Sequence, residues 1–245
     1  MSHARRWTAA IFALTGAIPA VLTSGAAATT GIFNGAETAA HQGLTHSSSG
    51  NWSGYAATGA TFTSVSATWK QPAVSCGSQT TYSSFWVGLD GDGSNSVEQT
   101  GTEADCSGGS PVYSSWYEMY PKFPVNFSNP VSPGDVFNAS VTYTGSSNFT
   151  LVLADQTKGW SHTINAKLRS PKLASAEVIA EAPSSSGGVL PLANFGTVAF
   201  SNSKANGAAL ATFSPDPITM ASGGITKAVP SGISGGSFSD TWKHS

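Results

Sequence analysis

PVYSSWYEMYP, residues 111–121, alternates along its length. On an extended chain Tyr113, Ser115, Tyr117 and Met119 take one face; Ser114, Trp116, Glu118 and Tyr120 take the other. This period of two predicts a strand. Glu118 stands among Trp116, Tyr117 and Tyr120, a grouping that can grip an extended peptide or a sugar and is equally ordinary in the core or surface of a β-sandwich.

The same pattern recurs on both sides. FTSVSATWKQP (62–72) sets Phe62, Val65, Ala67 and Trp69 among hydroxyl residues, and YSSFWVGLD (82–90) is mostly apolar. In SPGDVFNASVTYTG (132–145) a turn at Pro133, Gly134 and Asp135 precedes a strand with Phe137, Ala139, Val141 and Tyr143 on one face. NFTLVLADQTKGWSHTINA (148–166) reads as two strands joined through Asp155 to Gly159. ASAEVIAEAP (174–183) is a strand ended by Pro183, and shorter strands fall within 198–207, 211–222 and 234–245. PSSSGGVLP (183–191) is a loop, not a linker, because strand pattern continues after it. No helical period is sustained. Short strands punctuated by turn residues predict an all-β sandwich or barrel, one domain over residues 50–245.

Composition narrows the class. Charged residues are 10% of the 245, against about a quarter in ordinary domains, and the formal net charge is -2. No basic stripe exists to neutralise phosphates, which argues against a nucleic-acid partner. A chain this poor in ion pairs loses little when carboxylates protonate, which is compatible with work in acid. His3, Arg5 and Arg6, the apolar run from Trp7 to Leu22 and then Ala26, Ala27 and Ala28 predict a secretory signal peptide over residues 1–28. The run is short and interrupted, so no membrane anchor is expected after its removal. Residues 29–49 read as a propeptide or unpatterned lead. Two cysteines in an exported chain predict one disulfide, Cys76 to Cys106. It would close a loop worth roughly 3 kcal/mol by chain entropy. Two isolated cysteines and five scattered histidines give no metal-ligand spacing.

The motifs of serine hydrolases, zinc peptidases, P-loop and dinucleotide enzymes are missing, so chemistry falls to carboxylates, amides and aromatics, with no cofactor expected. Glu177, Ile179 and Glu181 face one way in AEVIAE, Val178 and Ala180 the other. That acidic face lines a cleft or is a solvated outer face; the sequence leaves both open. Gln99 could donate to a developing oxyanion. A polar residue near a strand end is its plain structural alternative.

NWSGY (51–55), WVGLDGDGSNSVEQTGTE (86–103), YSSWYEMYP (113–121) and AEVIAEAP (176–183) resemble, in this order, successive blocks of the glutamic peptidases, or eqolisins. The resemblance covers Asn51 to about Phe200. It implies a concanavalin-like β-sandwich of two antiparallel sheets and acid endopeptidase activity on polypeptides; the signal peptide implies a secreted protein, and a monomer is expected. The resemblance implies Gln99 and Glu181, not Glu177, as the catalytic pair: Glu181 as general base and then acid, Gln99 stabilising the tetrahedral oxyanion. Trp52, Trp86, Asp90, Glu103, Trp116, Glu118 and Tyr120 carry over as supporting cleft positions, and Glu177 joins them by sharing the face of Glu181. Val178 and Ser114 depart from the family pattern and bear on subsites. The rival readings are a glycan-binding or glycan-cleaving sandwich and a non-catalytic exported module. Glu177 and Glu181 would lie about 13 Å apart along a strand, too far for a retaining glycosidase pair.

Overall fold

The computed structural model describes residues 48–245; the expected signal peptide, and the lead up to residue 47, lie outside them. Strands of five residues or more are β1 (Trp52–Ala57), β2 (Ser64–Lys70), β3 (Ser84–Leu89), β4 (Val97–Ser107), β5 (Ser110–Tyr120), β6 (Val136–Gly145), β7 (Asn148–Asp155), β8 (Trp160–Lys167), β9 (Ala176–Glu181), β10 (Thr197–Ala205), β11 (Asp216–Ser222), β12 (Ile225–Pro230) and β13 (Phe238–Trp242). The one helical turn among the described residues is a 3-10 turn, Leu210–Phe213.

Two layers face each other. One runs β1–β9–β3–β4–β5, antiparallel throughout. The other runs β8–β7–β6–β2–β10–β13–β12. β11 belongs to both: Asp216–Ile218 pair with β1, and from Met220 onward it pairs with β12, with a register slip between Met220 and Ala221. The two sheets expected of the sandwich are therefore hydrogen-bonded into one path folded over itself. Ser48–Ser49 add alongside Thr219–Met220 in parallel, just ahead of Asn51.

Alternation fills the space between the layers. Phe85, Val87 and Leu89 of β3, Ala176, Val178 and Ala180 of β9 and Met119 of β5 meet Trp69, Phe137, Phe149, Leu151, Leu153 and Phe200 from the facing layer. Each large side chain removed from water contributes about 1.5–3 kcal/mol. The opposite face of the first layer carries a second cluster of Trp52, Ala56, Trp86, Val97, Trp116, Ile179 and Ile218, with Tyr120 against it. Covered on both faces, β3 is buried throughout, which is why its sequence is almost continuously apolar. The Cys76–Cys106 bridge is formed and ties the end of β4 to the loop leading into β3.

Candidate active site

Antiparallel register orders the outer face of the first layer into three rows. Trp52, Glu181, Ser84, Glu103 and Ser114 lie side by side in the first. Gly54, Ile179, Trp86, Gly101 and Trp116 form the second. Ala56, Glu177, Gly88, Gln99 and Glu118 form the third. Two rows of acid and amide groups thus flank an aromatic row. The arrangement depends on missing side chains beside Trp86. A Cβ at Gly101 would stand 2.2 Å from the Phe85 carbonyl oxygen and 2.6 Å from the Trp86 Cβ. One at Gly88 would stand 2.9 Å from the Trp86 ring. Trp52 meets Trp86 edge-on, ring centres 4.9 Å apart.

Of the two readings left open for the acidic face, the solvated outer face does not hold, because the face is largely buried. Glu177 is fully buried and Ile179 packs with the tryptophans, while Val178 and Ala180 point into the core. Glu181 is the partly exposed residue of β9. Trp86 Nε1 donates to its Oε2 at 2.7 Å and Asn51 Nδ2 to its Oε1 at 3.0 Å. Burial pushes its carboxyl up, hydrogen bonds from Trp86, Trp52 and Asn51 pull it back, and it settles at about 7. Gln99 Nε2 donates to Glu118 Oε2, and Gln99 Oε1, also buried, has no partner. Burial and then the charge of Glu181 push Glu118 up to about 8 against the hydrogen bond from Gln99.

The remaining acids divide by role. Glu103 accepts from Ser114 Oγ at 2.8 Å, and burial, then Asp105, hold its carboxyl well above the usual range. Burial likewise raises Asp105 to about 7. Glu177 accepts the Asp92 N–H at 3.2 Å and is pushed well up by burial. Among the described residues no ion pair reaches Glu103, Glu118, Glu177 or Glu181. Asp90 acts as a strap and not as a cleft group. Its backbone is left-handed (φ 73), and its carboxylate accepts the N–H groups of Lys172 at 2.9 Å and Ala174 at 2.7 Å, fixing the segment that enters β9. Glu98 faces the opposite way from Gln99, into the core side, where burial raises it to about 8.

Gln99 and Glu181 are not hydrogen-bonded to one another. On a flat sheet they would be about 10 Å apart across strands and about 13 Å along them. Glu118, one strand beyond Gln99, feels the charge of Glu181. Sequence reasoning missed Asn51 and Ser49. Asn51 stood in the quoted NWSGY block, and only the register that sets Glu181 opposite Trp52 brings it to the carboxyl. In acid the site is a set of neutral carboxyl groups, indole donors and one amide with an unpartnered oxygen. That set can hold water and pass protons.

The sequence profile of the Peptidase A4 family matches residues 50–231. Aspergillopepsin-2 of Aspergillus niger is 30% identical over 181 residues, which span 64% of this chain and 64% of the length of that relative. The crystal structure of scytalido-glutamic peptidase with a transition state analog inhibitor superposes with a TM-score of 0.70 at 28% identity, over 79% of this chain and 98% of that one. SCP-B, a member of the Eqolisin family in complex with the tripeptide Ala-Ile-His, gives a TM-score of 0.65 at 26% identity, over 79% of this chain and 98% of that one.

Proposed function

Because this chain belongs to the Peptidase A4 family, we propose that it is a glutamic-type endopeptidase that hydrolyses polypeptides in acid with Gln99 and Glu181. The observation that carries the reading is the pairing of a carboxyl held at about 7 with a buried amide whose oxygen has no partner, on one face of one sheet. The disulfide supports an extracellular workplace.

The raised carboxyl fixes the starting form. Below about 7 Glu181 is neutral, so in acid it gives and takes a proton in the same step. Water, held through the Gln99 amide oxygen, attacks the scissile carbonyl carbon. One water proton passes to a Glu181 oxygen while the Glu181 proton passes to the carbonyl oxygen. The Gln99 N–H supports that oxygen as charge develops there. The product is a neutral hydrate and a neutral Glu181. In the second step Glu181 protonates the amide nitrogen, the C–N bond breaks, and a hydrate hydroxyl returns a proton to Glu181. Acid and amine leave and the carboxyl is restored. Glu118 keeps its proton to about 8 and so remains neutral beside Gln99 throughout the working range. Trp52, Trp86 and Trp116 are buried and shape the floor of the face, and the half-buried Tyr120 meets the extended chain by apolar contact.

The test is cleavage of a denatured protein across about pH 2 to 9 by wild type, Gln99→Ala and Glu181→Gln, each checked for folding. Wild type should cleave in acid and fade as pH rises through about 7. Gln99→Ala should lose about 100- to 1,000-fold in kcat. Folded Glu181→Gln with full activity would end this reading.

A further inference from the structure

Asn51 is 7% exposed and stands ahead of β1. Its two amide atoms have assigned duties. Nδ2 donates to Glu181 Oε1 at 3.0 Å, and Oδ1 accepts from Ser49 Oγ at 3.1 Å. The Ser49 hydroxyl also accepts the backbone N–H of Trp52 at 3.1 Å and of Asn51 at 3.3 Å. Two accepted bonds use its lone pairs, so its single hydrogen must go to the Asn51 oxygen. An amide turned the other way would set an NH2 group against a filled hydroxyl. Ser49 therefore dictates which end of Asn51 meets Glu181. The backbone is pinned on both sides: the Ala182 N–H bonds the Asn51 carbonyl at 2.8 Å, and Ser48–Ser49 pair with Thr219–Met220.

We infer that Asn51, oriented by Ser49, is a positioning residue for the proposed reaction: it anchors one oxygen of Glu181 and limits how tightly that carboxyl keeps its proton. This rests on the reading of Glu181 as the proton-transferring group. The groups facing Glu181 explain why such a donor is needed. Burial favours its neutral form, and the titratable groups around it are all acids: Glu177 on the same face of β9, and Glu103 on β4 and Glu118 on β5, which both feel its charge. Trp86 on β3 and Trp52 on β1 oppose burial with indole donors. Asn51 is the donor that comes from outside these strands, so its grip depends on how residues 48–51 dock.

The test is a carbon-13 NMR titration of the Glu181 side chain in the full chain, with kcat/KM measured against pH in parallel. Wild type, Asn51→Ala, Ser49→Ala and Glu181→Gln are compared; the last assigns the signal. Loss of one donor to a charged group should raise the Glu181 midpoint in Asn51→Ala by about one pH unit, and the alkaline limb of kcat/KM should move with it. Ser49→Ala should shift both in the same direction by less. An unchanged or lowered midpoint in Asn51→Ala overturns the inference. Should Asn51→Ala not fold, an unchanged midpoint in Ser49→Ala does so. Retained peptidase activity in Glu181→Gln would instead sink the catalytic pair, and the titration would still report on Asn51.

Discussion

At the scale of single residues, the cleft is decided by who donates to which carboxyl. Ser114 illustrates this. In the sequence it is a departure from the family pattern. In the fold its hydroxyl donates at 2.8 Å to Glu103, a residue only 1% exposed whose other oxygen has no partner. Ser114→Ala would leave that buried carboxyl without a donor among the described residues. Such a loss costs about 1–3 kcal/mol, which urea unfolding near neutral pH would register. Wild-type stability in that variant would mean that Glu103 finds another partner. Gln99 shows the limit of residue-level reading. Its type permits oxyanion support, but nothing in the letters around it says that its N–H meets Glu118 and its oxygen meets nothing.

At the scale of elements, period two did most of the work. It put Glu177, Ile179 and Glu181 on one face of β9 and Trp116, Glu118 and Tyr120 on one face of β5, as the structure has them. In β4, which the sequence did not reveal as a strand, the same alternation separates the chain neighbours Glu98 and Gln99. What makes these strands a site is their close approach at Trp86, where Gly101 lies opposite on β4. Because the nearest obstacle to a Cβ there is the Phe85 backbone oxygen at 2.2 Å, no rotamer change relieves it. Gly101→Ala should destabilise the fold by about 1–3 kcal/mol or more as the β3–β4 pairing opens. Chemical denaturation measures the loss, and the near-ultraviolet signal of Trp86 should change with it. A variant of unaltered stability and spectrum would show that the strands can separate freely.

At the scale of the whole molecule, buried acids set the pH at which the protein is stable. Burial raises Glu98 and Glu118 to about 8 and Asp105, Glu181 and Asp240 to about 7. Unfolded, these groups titrate near about 4. Between those values the folded chain holds protons that the unfolded chain has released, so stability falls as pH rises. It is complete below about pH 4 and is lost progressively as pH climbs through about 7 and 8. The melting temperature should therefore drop by about 5 °C or more between about pH 4 and pH 8. A flat or rising profile would show that these carboxyl groups are solvated in the folded state. Asp240 extends the argument to the C-terminal strands: it is fully buried, and Ser53 Oγ of β1 donates to it at 2.9 Å, so β13 is bound to the strand that carries Trp52.

The sequence by itself determined most of the strands, the faces of β5 and β9 and the kind of chemistry, but not β1, β12 or β4, the strand that carries Gln99 and Glu103. Alternation is a local property, set by neighbours along one chain, and four ordered blocks carried the family resemblance. The sequence of the C-terminal stretch did not reveal its role as the seam between layers, because β11 changes partners at a register slip that no local pattern encodes. Asn51, Ser49 and the strap at Asp90 were also decided only in three dimensions: Asn51 and Glu181 are 130 residues apart, and Asp90 and Ala174 are 84 apart. Their hydrogen bonds depend on strand register, which follows from packing between layers. So does the desolvation that makes these carboxyl groups neutral in acid, since a carboxyl's proton affinity depends on what covers it.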